Sequence, residues 1–258
     1  MMNFVWKAYE NDKILLIKAF VEFSAGAFLL QEEFMQRKEE NFKAAIFDLD
    51  GTILDSMYVW EWIDQEFLTK RGIPVPDDYI EAVCARSFQE AADYTIARFG
   101  LQERAEDIIE EWGELAYQQY SEQVKLKPYA KEYLTFLKEQ GIRLAVATGL
   151  SHALMEAVLK NNQIWDLFDL FCSADEVERG KEYPDLYFYT ADKLSLAPEE
   201  CIMFEDVYPG IRSAKMAGMI VYGVEDFYSL EQKERIIEIA DGYLKDFRLA
   251  PVPKESGQ

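Results

Sequence analysis

From residue 43 onward, short and almost wholly apolar runs alternate with stretches whose apolar residues recur at helical spacing. Residues 44–47, 142–147, 168–172, 201–204 and 219–224 are such runs. A run without alternating polar positions suits a strand covered on both faces, as in a parallel sheet. Between the runs, residues 130–140 and 153–161 carry the helical period, and Gly141 stands where a C-cap is expected. Strand and helix in alternation predict right-handed crossovers and a doubly wound parallel α/β sheet.

One interval breaks the rhythm. More than ninety residues separate the first two runs, far beyond one crossover helix, and they are helical in pattern. Trp60, Ile63, Phe67 and Leu68 make one amphipathic face, Ile108, Trp112, Leu115 and Ala116 another, and a Gly-Ile-Pro-Val-Pro loop at 72–76 divides them. The expected organisation is a core of residues 42–56 and 127–258 with an all-helical insertion over 57–126. Residues 1–41 precede it as a helical extension. Leu16, Phe20, Phe23, Ala27 and Leu30 recur near helical spacing there, and that helix is expected to pack outside the core.

Composition narrows the function classes. The 258 residues are 50% hydrophobic, and 27 Lys+Arg against 48 Asp+Glu leave a formal charge of -21. Such a chain is globular and disfavours nucleic acid or an anionic membrane surface as a partner. No uncharged apolar run approaches the roughly 18 residues of a membrane span. A basic, cleavable leader is not apparent either. Three scattered cysteines (Cys84, Cys172, Cys201) argue against a disulfide scaffold and fit a reducing cytoplasm. The single histidine, His152, excludes multi-histidine metal sites. A monomer is the default.

The chemistry concentrates at the end of the first run, Phe47-Asp48-Leu49-Asp50-Gly51-Thr52. Carboxyl ends of strands are where open α/β sheets bind ligands. Two carboxylates two residues apart call for a cation or a substrate to offset their repulsion. The alternative is an acidic turn that merely closes a strand.

This run resembles the first signature of the haloacid dehalogenase-like phosphotransferase superfamily, and three later elements agree in order. Thr148-Gly149 ends the second run and matches the hydroxyl-bearing element. Lys181, in Gly180-Lys181-Glu182-Tyr183-Pro184-Asp185, matches the lysine element. Glu205-Asp206 follows the 201–204 run and matches the acidic element. Alone, Thr148 reads as a turn former and Lys181 as a solvated charge; in order and at strand ends they read as a site. The resemblance implies that Asp48 is a nucleophile forming an aspartyl-phosphate. It implies that Asp50 protonates the leaving oxygen and then activates water, and that Thr148, Gly149 and Lys181 hold the phosphoryl group. Mg²⁺ would be held by Asp48, the Asp50 carbonyl and Asp206, with Glu205 as a fourth ligand or a holder of bound water. Glu182 replaces the usual proline after the lysine.

The insertion is similar to the helical cap of the subgroup containing β-phosphoglucomutase and phosphoglycolate phosphatase. In its loop, Arg86 and Ser87 are candidates for reading the substrate, Arg86 toward a second anionic group. His152 is expected to begin a helix. The resemblance implies a Mg²⁺-dependent phosphomonoester hydrolase acting on a small phosphorylated metabolite, a sugar phosphate or similar. Two other readings remain: a phosphomutase with the same catalytic residues, and a binding or regulatory protein on this scaffold.

Overall fold

The computed structural model describes residues 37–254 apart from Asp77 and residues 85–87. The apolar runs become a six-stranded parallel sheet. Its strands are β2 (Ala44–Phe47), β5 (Arg143–Thr148), β6 (Leu170–Ser173), β7 (Cys201–Glu205), β8 (Ile220–Val224) and β9 (Gly242–Leu244), in the order β6-β5-β2-β7-β8-β9. The second and third strands in sequence build to one side of β2, and the later ones to the other. That reversal opens a crevice beyond the carboxyl ends of β2 and β7.

Helices cover both faces. On one side lie α5 (Ala130–Glu139) and α6 (His152–Asn161); on the other lie α7 (Asp185–Lys193), α8 (Tyr208–Ala217) and α9 (Lys233–Ile239). The side chains of β2 alternate between the two layers, Ala45 and Phe47 into one, Ala44 and Ile46 into the other, all fully buried. Phe47 stacks on Phe204 at 4.8 Å and meets Tyr133 and Phe168 edge-on, so the strand end that precedes Asp48 is fixed by packed rings.

The long interval folds as four helices, α1 (Tyr58–Lys70), α2 (Tyr79–Cys84), α3 (Phe88–Phe99) and α4 (Ala105–Glu122). The chain enters and leaves this helical cap through an antiparallel pair, β3 (Leu54–Asp55) with β4 (Lys125–Leu126). Just past β4, buried Lys127 pairs with Asp226 at 2.9 Å and donates to the Glu225 carbonyl at 2.7 Å, tying the passage to the loop after β8. Among the described residues, no helix is long and apolar enough to cross a membrane.

Three features depart from the pattern reading. Strand β9 is short and half-buried, too polar to register as an apolar run. The run at 168–172 begins as strand only at Leu170, because Trp165–Leu167 form a 3-10 turn and Asp169 is drawn to the Leu144 amide at 2.9 Å. Within the helical extension expected over 1–41, the described residues 37–41 contain a strand instead: β1 (Glu39–Glu40) pairs in parallel with β10 (Val252–Pro253), which supplies the backbone partners a helix would have supplied internally. The helix expected over 14–35 lies outside the described residues.

Candidate active site

Register delivers the acidic residues to one edge. Phe47 lies opposite Val146 of β5 and Phe204 of β7, so Asp48, Thr148, Glu205 and Asp206 all emerge at the carboxyl end of the sheet. The chain then turns sharply: the amides of Thr52, Ile53 and Leu54 all donate to the Leu49 carbonyl. Gly51 has φ +72°, and a Cβ there would sit 2.4 Å from Asp206 Oδ2. No other residue fits this bend and this approach together.

Asp48, Glu205 and Asp206 form a buried cluster whose carboxylate oxygens lie within 4.8 Å of one another. Lys181 Nζ stands 2.7 Å from Asp48 Oδ1 and 2.7 Å from Glu205 Oε2. Burial works to discharge this ammonium, but the two carboxylates overcome it and hold its pKa well above the ordinary lysine range. Glu205 Oε1 accepts from the amides of Asp206 and Val207, so both of its oxygens are engaged. A Cβ on Gly210, in the first turn of α8, would meet Glu205 Oε2 at 2.5 Å. Thr52 Oγ1 lies 3.2 Å from Asp206 Oδ1 and 3.5 Å from Asp48 Oδ2.

Asp206 is raised well above the carboxylate range by burial, then by the Glu205 and Asp48 charges. Its Oδ2 is buried without a hydrogen-bond partner. Three buried carboxylates against one ammonium are short of positive charge, and the orphaned oxygen faces that deficit. An all-oxygen donor set of this kind fits a hard divalent cation.

Asp50 turns the other way, toward the cap. Its Oδ1 accepts from Ser56 Oγ at 2.6 Å and from the Tyr120 hydroxyl of α4 at 2.7 Å. Burial pushes this carboxyl up to about 6, against the pull of those two donors and with a contribution from the Asp48 charge. Both bonds fall on Oδ1, which leaves Oδ2 as the oxygen to carry a proton.

The family model for haloacid dehalogenase-like hydrolases matches residues 45–224. The chain belongs to that family. Among curated members of the haloacid dehalogenase-like hydrolases, it is similar to a phosphorylated carbohydrates phosphatase of Thermotoga maritima, 26% identical over 76% of this chain and 90% of the relative. It is also similar to validoxylamine A 7'-phosphate phosphatase of Streptomyces hygroscopicus subsp. limoneus, at 29% over 80% and 94%. Among solved structures, CbbY of Rhodobacter sphaeroides in complex with phosphate superposes with a TM-score of 0.65 at 26% identity, over 80% of this chain and 95% of that one.

Of the residues singled out in the sequence, Asp48, Lys181, Glu205 and Asp206 meet in one cluster, and Asp50 faces the cap beside it. Thr148 is buried at the end of β5, where its Oγ1 accepts from the Leu150 amide at 3.4 Å, and Gly149 follows it. His152 begins α6, and its Nε2 lies 2.9 Å from Glu176 Oε1 at the surface. Arg86 and Ser87 lie outside the described residues. Ser56 and Tyr120 were not anticipated. Extending the Ile108-Trp112-Ala116 stripe by one more turn reaches Tyr120, whose burial marks it as part of the same face.

Proposed function

We propose that this chain is a Mg²⁺-dependent phosphomonoester hydrolase of small phosphorylated metabolites, working through an aspartyl-phosphate at Asp48. The observation that carries the reading is the buried Asp48 carboxylate, paired with Lys181 at 2.7 Å, beside an Asp50 carboxyl pushed up to about 6. Relatives that act on phosphorylated carbohydrates support the substrate class.

In the first step a carboxylate oxygen of Asp48 attacks phosphorus, the P–O bond to the leaving alcohol breaks, and Asp50 gives that oxygen its proton. In the second, the Asp50 carboxylate takes a proton from water, whose oxygen attacks phosphorus. The bond to Asp48 then breaks, releasing inorganic phosphate and restoring both carboxylates to their starting forms. Lys181 stays charged throughout and offsets the repulsion between Asp48 and the entering phosphate. The Thr148 hydroxyl and the backbone about Gly149 orient the phosphoryl oxygens. Glu205, engaged by Lys181 and two amides, holds that lysine in place. Asp48, Asp206 and the Asp50 carbonyl would hold Mg²⁺, which supplies Lewis-acid neutralisation of the phosphoryl charge when bound.

The test is incubation with a panel of phosphorylated metabolites in Mg²⁺, following free phosphate and sugar isomers together. Phosphate release is expected. Isomer interconversion without release would replace this reading by a phosphomutase, and inertness toward the whole panel would remove it.

A further inference from the structure

The loop after β5 carries Thr148 and Gly149, and the loop after β6 carries Lys181. Lys181 itself reaches Asp48 and Glu205, but the backbone it rides on, residues 177–184, belongs to neither sheet nor helix. Carboxylates pin the two ends of that span. At the far end Asp185, the first residue of α7, takes a forked pair from Arg179, 3.1 Å from Nε to Oδ1 and 2.7 Å from Nη2 to Oδ2. At the near end stands Glu176, the last residue of the 3-10 turn Ala174–Glu176.

Glu176 ties three segments with one carboxylate. Its Oε1 accepts from the Ser173 amide at 2.7 Å and lies 2.9 Å from Nε2 of His152, in the first turn of α6. Its Oε2 accepts from the Tyr189 hydroxyl of α7 at 2.9 Å. Buried Ser173 in turn donates its hydroxyl to the Leu150 carbonyl at 2.9 Å. Leu150 and His152 both belong to the passage that runs on from Thr148 and Gly149, and the Leu150 amide donates to Thr148 Oγ1. The 174–176 turn is therefore fastened to the β5 loop at two points and to α7 at a third.

Burial works to raise the Glu176 carboxyl, but the Ser173 amide, Tyr189 and His152 overcome it and hold it below the ordinary glutamate value. An ionised carboxylate only accepts, so Nε2 is the ring nitrogen that carries the hydrogen. As a stabilising pair the contact is weak, because the His152 side chain is 59% exposed and that of Glu176 30%. What it controls is spacing.

We infer that Glu176 is a positioning residue for phosphoryl transfer, which with His152 fixes the loop of Thr148 and Gly149 against the loop of Lys181. The inference rests on the hydrolase reading above, which puts both loops against the phosphoryl group. The attraction of Lys181 for a phosphate falls only as the inverse of distance, whereas in-line transfer tolerates little misplacement. A loop released by a fraction of an ångström should still bind phosphate and react more slowly. Attack by Asp48 and attack by water move the same phosphoryl group, so kcat registers the loss whichever step is slower.

The experiment measures kcat and KM for p-nitrophenyl phosphate in Mg²⁺, together with Tm, for the full chain and its variants. Glu176→Ala should lower kcat at least about tenfold with KM within about threefold and Tm within about 3 degrees of wild type. Glu176→Gln keeps an oxygen for Ser173 and His152 and turns its amide toward the Tyr189 oxygen, so kcat should return to within about twofold of wild type. His152→Ala should lose kcat in the same direction by less, and the double alanine variant should be no slower than Glu176→Ala alone. Unchanged kcat in Glu176→Ala, a rise in KM alone, a glutamine variant as slow as the alanine one, or single losses that multiply in the double would each overturn the inference while the hydrolase reading stands. If Glu176→Ala does not fold, His152→Ala at its exposed ring carries the test, and an unchanged kcat there overturns the inference. A wild-type chain inert toward this ester and toward the metabolite panel would remove the hydrolase reading and the inference with it.

Discussion

Asp50 and Asp64 are both carboxyls raised by burial, but they face different tasks. Asp50, held by Ser56 and Tyr120, is the acid of the proposed mechanism, which protonates the departing oxygen. Asp50→Asn removes that proton and should slow hydrolysis of an alkyl phosphate by about 10²–10⁴-fold. With p-nitrophenyl phosphate, whose phenolate departs unaided, formation of the aspartyl-phosphate should suffer far less. Burst amplitudes and single-turnover rates with the two esters check this, and equal losses in both would contradict the acid role. Asp64 makes a separate prediction about stability. Its folded pKa is raised from 3.8 to about 7. Between those values the folded chain keeps a proton that the unfolded chain has released, so stability falls as pH rises through that window. Asp64→Asn is neutral at every pH. It should therefore raise Tm by several degrees near about pH 8, about 1–3 kcal/mol after allowing for partial exposure, and change nothing near about pH 4. Thermal unfolding of both proteins at the two pH values decides it: a gain of equal size at both would mean the effect is not ionisation.

At the scale of elements, the strands that carry the site were legible because they are apolar throughout, and the motifs at their ends fall where loops of a parallel sheet bind ligands. Strand β9 was not, since Gly242 and Tyr243 are only half-buried and no apolar run marks them. The β3–β4 pair escaped notice because two residues per strand leave no period to read. Helix α1 shows the limit within a single element. Trp60 packs against the core as its stripe predicts, beside Ile63, Phe67 and Leu68, yet both Trp60 and Ile63 also line a cavity between the cap and the loop after β8. Periodicity assigns a residue to a stripe, and only the packing partner says whether the stripe's edge meets protein or empty space. Helix α8 offers a sharper test of element against site. Alanine exceeds glycine in helix propensity by about 1 kcal/mol, so Gly210→Ala should stabilise an isolated helix. Here its Cβ would collide with Glu205 Oε2 and displace the partner of Lys181. The expected outcome is a folded protein with kcat lowered about tenfold or more. A variant that is both more stable and fully active would show that Glu205 does not need its present position.

For the whole molecule, charge is the dominant constraint. A chain at -21 folds around a centre where three carboxylates answer to one lysine, so a bound divalent cation should stabilise the native state as well as serve the reaction. At about a hundred times its Kd such an ion contributes about 2.7 kcal/mol. Raising Mg²⁺ at constant ionic strength should raise Tm by several degrees, and Asp206→Asn should abolish most of that rise. A shift of the same size in the variant would assign it to general screening of surface charge. The cap and the core meet through Asp50, Tyr120 and Ser56, so chemistry and enclosure are coupled at one side chain. The central claim is that phosphate passes through Asp48, and it can be observed directly. The Asp50→Asn variant should accept a phosphoryl group from p-nitrophenyl phosphate in Mg²⁺ and release it slowly, because the base for water is missing. After acid quenching and proteolysis, mass spectrometry is predicted to find one phosphoryl group on the peptide containing Asp48, labile to hydroxylamine. The same peptide from a protein that also carries Asp48→Asn should lack it. A phosphoryl group on any other residue, or steady phosphate release by Asp48→Asn, would contradict the account.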